Sequence, residues 1–110
     1  MTDLDDLRNH VDSANIGIIY LLAQGKQDSQ EMRDIIQRRR GLVRQIGKYK
    51  VEHNLPIRDS PRQEQQKKSV RRYARSICFD PDKAEAYING EVEESVAIQE
   101  SLGQDVRARS

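Results

Sequence analysis

Cysteine occurs once, at Cys78, tryptophan is absent, phenylalanine occurs once, and Phe, Trp and Tyr together make 5% of the 110 residues. A single cysteine excludes an internal disulfide framework and any cysteine-based zinc site. The shortage of aromatics demands an aliphatic core and argues against a sandwich or barrel of aromatic-rich strands. Neither sign of charge dominates: 19 Lys and Arg face 18 Asp and Glu, a net charge of +1. A general nucleic-acid binder needs a strong basic excess, so no nucleic-acid partner is expected. No run approaches the roughly 18 apolar residues of a membrane span. The opening residues, Met1 to Asp6, are acidic rather than signal-like. The expectation is a protein of the reducing cytoplasm with no membrane partner.

What the chain does have is charge. Charged residues make 34% and hydrophobic ones 35%, the latter below the ordinary share of about 45–50%. At 110 residues, residues 1–110 form one domain with one modest core. Such a composition suits helices with wide polar faces.

The apolar pattern agrees. Leu4, Leu7, Val11, Ala14, Ile18 and Leu21 step by three and four, one stripe of an amphipathic helix. The stripe resumes at Met32, Ile35, Ile36, Leu42, Val43, Ile46 and Tyr49 and runs to about His53. Between the two lie Gly25 and Asp28-Ser29-Gln30-Glu31, which read as a helix stop followed by a capping box with Asp28 or Ser29 as the cap. The heptad phase is kept across this segment, so one long helix with a soft middle is the alternative. Pro56 ends the second stretch. Ser60-Pro61 opens a helix over about 61–77 with Ser60 as its cap and Gln63 as the reciprocal cap site. Asp80-Pro81 opens the last, from Pro81 to about Leu102, with Ala84, Ile88, Val92, Ser95, Gln99 and Leu102 on one face. The tail from about residue 103 is polar and expected to fray. The fold class is all-α, three or four helices.

Several polar residues fall on faces that belong to the core. Arg39 lies in the seam between Ile36 and Leu42, and Lys50 lies on nearly the same face further along. Ser95 and Gln99 sit on the inner stripe of the last helix, and Arg8 borders the first stripe. Buried charges are costly unless paired, and Asp59 is the natural inward acid for these cations. An inward cluster of Arg, Arg and Lys with neutral hydrogen-bonders suits a small anion with two carboxylates or phosphates. Snorkelling arginines at the rim of a core, or a solvated Arg38-Arg39-Arg40 face, are the plainer reading of the same residues.

The segment Arg38 to Lys50, followed by Leu55-Pro56-Ile57-Arg58-Asp59-Ser60-Pro61-Arg62-Gln63, resembles the central block of the all-helical chorismate mutases. Leu7-Arg8-x-x-Val11-Asp12-x-x-Asn15 resembles the start of that family's first helix, and Glu94 to Gln99 the end of its third. The resemblance implies a type II chorismate mutase bundle that converts chorismate to prephenate without cofactor or metal. By the same resemblance Arg39, Lys50 and Gln99 are the catalytic residues. Arg8 and Arg39 would bind the two carboxylates. Lys50 and Gln99 would meet the ether oxygen of the breaking bond. Asp59 and Gln63 would meet the ring hydroxyl, and Arg62 and Ser95 would serve the carboxylates. His10, His53 and Cys78 are bystanders in this scheme.

Three departures from the family pattern stand out. Gln63 replaces a glutamate, which raises isochorismate or 4-amino-4-deoxychorismate as alternative substrates. Ala84, Gly90 and Glu91 replace bulkier residues and imply a thinner core around the last helix. The spacing from Arg8 to Arg39 is about 14 residues longer than in the family, as if the first helix were interrupted or lengthened near residues 25–38. A continuous helix would suit the family's intertwined homodimer. The Gly25 stop and the following cap favour a helical hairpin and a monomer. A helical interaction module without enzymatic activity is the remaining alternative.

Overall fold

The computed structural model describes residues 3–109, with side chains up to Gly103. Four helices account for it: α1 (Leu4–Ala23), α2 (Gln30–Glu52), α3 (Ser60–Ser76) and α4 (Pro81–Arg109). Their starts follow the cap logic of the sequence. Asp3 accepts from the Asp6 amide at 2.8 Å, and Ser29 accepts from the Met32 amide at 3.1 Å. Asp80 accepts from the Asp82 amide at 2.8 Å ahead of Pro81. At α3 the cap is Asp59 rather than Ser60, its carboxylate accepting from the Arg62 amide at 3.1 Å. Asp59 therefore shapes the helix start as well as the site below.

The helix ends share one device. Lys26, Leu55 and Phe79 each donate a backbone N–H to the carbonyl five residues back, at 2.9, 2.8 and 2.8 Å. Such closures place the preceding residue in the left-handed region, and Gly25 (φ 72°), Asn54 (φ 54°) and Cys78 (φ 58°) occupy it. Glycine and asparagine tolerate that conformation, whereas cysteine does so at a cost. Between α1 and α2 the chain turns at Gly25, and Gly17 of α1 meets Ile35 of α2. The frayed tail is corrected, since α4 continues through Gly103 to Arg109. One helical glycine costs about 1 kcal/mol, too little to stop a helix whose following residues carry no breaker.

The helices form a four-sided bundle in the cyclic order α1, α2, α4, α3. Paired residues give the directions. Asn15 meets Arg39 while Gly17 meets Ile35, so α1 and α2 are antiparallel. Arg39 meets Ser95 while Lys50 meets Gln99, so α2 and α4 run parallel. Two apolar clusters fill the interior. The larger joins Ile18, Ile19, Met32, Val70, Ala74, Ala84 and Ile88, and the smaller joins Leu7, Val11 and Ile46. The thin core expected near Gly90 is corrected: Gly90 is exposed with open space around it, and Ala84 and Ile88 are fully packed.

Candidate active site

Between the two apolar clusters each helix turns a polar residue inward at one level: Asn15 from α1, Arg39 from α2, Gln66 from α3 and Ser95 from α4. Each falls in the apolar stripe of its own helix. Asn15 follows Val11 by four, Arg39 precedes Val43 by four, Gln66 precedes Val70 by four, and Ser95 stands between Val92 and Val96. The bundle therefore buries this layer however polar it is.

Arg39 is the largest fully buried side chain, 2% exposed. Its Nε donates to the Asn15 carbonyl oxygen at 2.8 Å. Its Nη1 donates to the Ser95 hydroxyl at 2.6 Å and to the Glu91 backbone carbonyl at 3.2 Å. All three acceptors are neutral. Lys50 is 6% exposed and is held the same way, donating to the Ile57 carbonyl at 2.8 Å and to the Gln99 amide oxygen at 3.2 Å. Among the described residues no carboxylate lies within ion-pair distance of either cation. Burial pushes the pKa of both groups below its ordinary value. Glu91 opposes this for Arg39, whereas Arg8 and Arg62 reinforce it for Lys50.

The other cations are paired. Arg8 donates to Asp59 Oδ2 at 3.1 Å. Arg62 grips Asp12 with two bonds, at 2.7 and 3.2 Å, and donates to the Arg8 carbonyl at 3.1 Å. Asp59 is thus not the sole inward acid, a correction to the sequence reading: Asp12 takes Arg62 and ties α1 to α3. Four cations face two carboxylates, leaving two positive charges for a ligand.

All eight residues singled out from the sequence line one cleft: Arg8, Arg39, Lys50, Asp59, Arg62, Gln63, Ser95 and Gln99. Val11, Ile46 and Val92 supply apolar walls that a carbocyclic ring can rest on. Gln63 is half-buried, and among the described residues its side-chain amide has no hydrogen-bond partner. His10, His53 and Cys78 are exposed and outside the cleft. The sequence reading missed Gln66, Asp12 and the part played by Asn15. Extending the α3 stripe four residues back from Val70 would have found Gln66.

Against known proteins, the profile described as chorismate mutase type II matches residues 29–100. The chain belongs to that family. No curated protein and no solved structure matches it. The family segment begins at Ser29, the cap of α2, and ends one residue after Gln99. It therefore carries seven of the eight cleft residues, while α1, with Arg8, Asp12 and Asn15, stands outside it. Within the chorismate mutase segment Gly47 sets the approach of α2 to α4. A Cβ there would lie 2.9 Å from Gln99 Cγ and 2.9 Å from Leu102 Cδ1. If this cleft turns over chorismate with Gln99 at the reacting bond, Gly47→Ala is expected to displace Gln99 and lower kcat by about tenfold or more while the chain stays helical. Steady-state kinetics with circular dichroism checks it, and unchanged kcat would mean that Gln99 needs no such closeness. No helix among the described residues is long and apolar enough to cross a membrane.

Proposed function

We propose that the protein is a chorismate mutase of the shikimate pathway, acting as a single chain. The reaction is a Claisen rearrangement: the ether C–O bond breaks as a C–C bond forms, with no nucleophile and no proton transfer. Catalysis then amounts to folding a flexible dianion into a reactive conformer and placing donors where charge grows on the departing oxygen. The observation that carries this reading is the pair of buried cations, Arg39 and Lys50, held only by neutral groups. A buried cation without an acid is costly; a dianion puts one carboxylate on Arg39 and the negative charge of the departing ether oxygen beside Lys50, which relieves both.

In this reading Arg39 and Ser95 take one carboxylate. Arg8 exchanges Asp59 for the other, with Arg62 fixing the Arg8 backbone, and the freed Asp59 oxygen accepts from the ring hydroxyl beside Gln63. Lys50 has used two of its three N–H groups and gives the third to the ether oxygen. Gln99 donates one amide hydrogen to the Val43 carbonyl at 3.2 Å and offers the other to the same oxygen. Incubation with chorismate, isochorismate and 4-amino-4-deoxychorismate in parallel, with products identified by mass and chromatography, tests the assignment. Prephenate from chorismate supports it. Because Gln63 stands where the family has a glutamate, the analogues are the controls, and turnover of either with chorismate untouched would replace the reading with one of them.

A pH dependence follows. The Gln99 amide is neutral at any such pH, so the rate is expected to vary little between about pH 6 and 8. Above that range the rate falls as Lys50 loses its proton, at a pH below the ordinary lysine value of 10.5. Stability moves oppositely. A lysine with a lowered folded-state pKa binds fewer protons folded than unfolded between the two values, so its desolvation cost is relieved as pH rises through that window. The difference in unfolding free energy between wild type and Lys50→Met should therefore shift in favour of the wild type over the pH range where activity is lost. A rate that falls steeply between pH 6 and 8 would mean that another group faces the ether oxygen.

A further inference from the structure

We propose that Asn15, supported by Gln66, is a positioning residue that fixes the Arg39 guanidinium with a neutral acceptor and so reserves its charge for an anionic ligand. The substrate part of this inference rests on the chorismate reading, but its electrostatic part does not.

Asn15 is 2% exposed and Gln66 8%. The Asn15 oxygen accepts from Arg39 Nε at 2.8 Å, and its amide nitrogen donates to Gln66 Oε1 at 3.0 Å. Arg39 fixes the amide's sense: its Nε–H can only donate, so the Asn15 oxygen faces it and the Asn15 nitrogen is left to donate to Gln66. The Nε and Nη1 donors are thus occupied from α1 and α4, and among the described residues Nη2 has no protein partner. Asn15 determines which donors are left over and at what angle they enter the cleft.

The choice of amide over carboxylate is the second half of the argument. Asn15 and aspartate have the same shape. One aspartate oxygen would sit where the amide oxygen does, and Gln66 would turn its amide over so that its Nε2 donates to the other. The carboxylate would form a buried, charge-assisted pair with Arg39. Such a pair cancels the charge that a ligand carboxylate needs, and it relieves an otherwise unpaired buried cation. Glu91 and Glu94 also act on Arg39, but neither carboxylate touches it: Glu91 gives only its backbone carbonyl, and Glu94 pairs with Arg40 at 3.0 Å. Position 15 is therefore where a neutral group sets both the affinity of the cleft and the stability of the empty protein. Asn15 lies on α1, outside the segment that matches the family.

Two variants separate charge from geometry. Asn15→Asp keeps the acceptor and adds a charge. It is expected to raise KM for chorismate at least tenfold with a smaller change in kcat, and to melt at or above the wild-type temperature without ligand. Asn15→Ala keeps the charge of Arg39 but frees its side chain. It is expected to lower kcat more than it raises KM and to melt lower. Equal KM for Asn15→Asp and wild type, or the same KM and kcat pattern in both variants, overturns the proposal. If the wild type leaves chorismate unchanged, the substrate assignment fails and the ligand-free melting temperatures still decide. Asn15→Asp melting at or above wild type supports the pairing with Arg39, and melting well below it overturns it.

Discussion

Arg39→Ala is expected to lower kcat/KM for chorismate by about 10²–10³, or roughly 3–4 kcal/mol of transition-state stabilisation. The loss is large because the guanidinium is fully buried and its competitors for a carboxylate are neutral. Water cannot stand in for it, and the other arginines of the cleft, Arg8 and Arg62, are engaged with Asp59 and Asp12. The stability cost should be smaller than the size of the side chain suggests. Removing an unpaired buried cation relieves its desolvation, which offsets part of the cavity left behind. Arg39→Met, which fills more of the space, should approach wild-type stability and stay as inactive as the alanine variant. Steady-state kinetics beside denaturant unfolding separates the two effects. An Arg39 variant with near-wild-type kcat/KM would remove Arg39 from the site.

Lys50→Ala is expected to cost a comparable factor, expressed mainly in kcat. Lys50 and Gln99 stand together at 3.2 Å, where the reading puts the ether oxygen, and charge on that oxygen grows only as the bond breaks. An interaction made chiefly in the transition state lowers kcat when it is removed, whereas Arg39, which also binds the ground-state carboxylate, should affect KM as well. Lys50→Met preserves the aliphatic packing and isolates the ammonium. The Ile57 carbonyl loses its partner in both variants, so some loosening of the loop before α3 belongs to the expected result. Near-wild-type kinetics for Lys50→Met would sink its assignment.

Much of this architecture was legible in the residues themselves. The stripes at steps of three and four, the caps at Ser29 and Asp80, and the stops at Gly25 and Pro56 locate all four helices. Gly25 is where α1 closes, in a left-handed conformation that the middle of a helix does not contain. The α3 cap moved by one residue because both Asp59 and Ser60 can serve there, and the bond from Arg8 to Asp59 is a tertiary contact that no local pattern encodes. The extent of α4 was missed because polarity does not end a helix when no proline follows.

The cleft was readable in part. Arg39, Lys50, Ser95 and Gln99 stand out because charge or polarity interrupts an apolar stripe. Asn15 and Gln66 interrupt theirs just as plainly, but an amide draws less notice than a cation. Asp12 was invisible in its pairing, since its partner Arg62 lies 50 residues away. What periodicity cannot supply is the level at which four interruptions meet, and that level depends on how four helices are stacked.

Arg8 of α1 folds back onto the cleft of its own chain, and on the function proposed above one chain then carries the whole chorismate mutase site. The fall of chorismate's ultraviolet absorbance, followed while the protein is diluted from micromolar to nanomolar, tests it most directly. The account predicts loss of chorismate with formation of prephenate and a specific activity that stays constant across the dilution. A folded, helical protein that leaves chorismate untouched, or an activity that disappears on dilution, would contradict it.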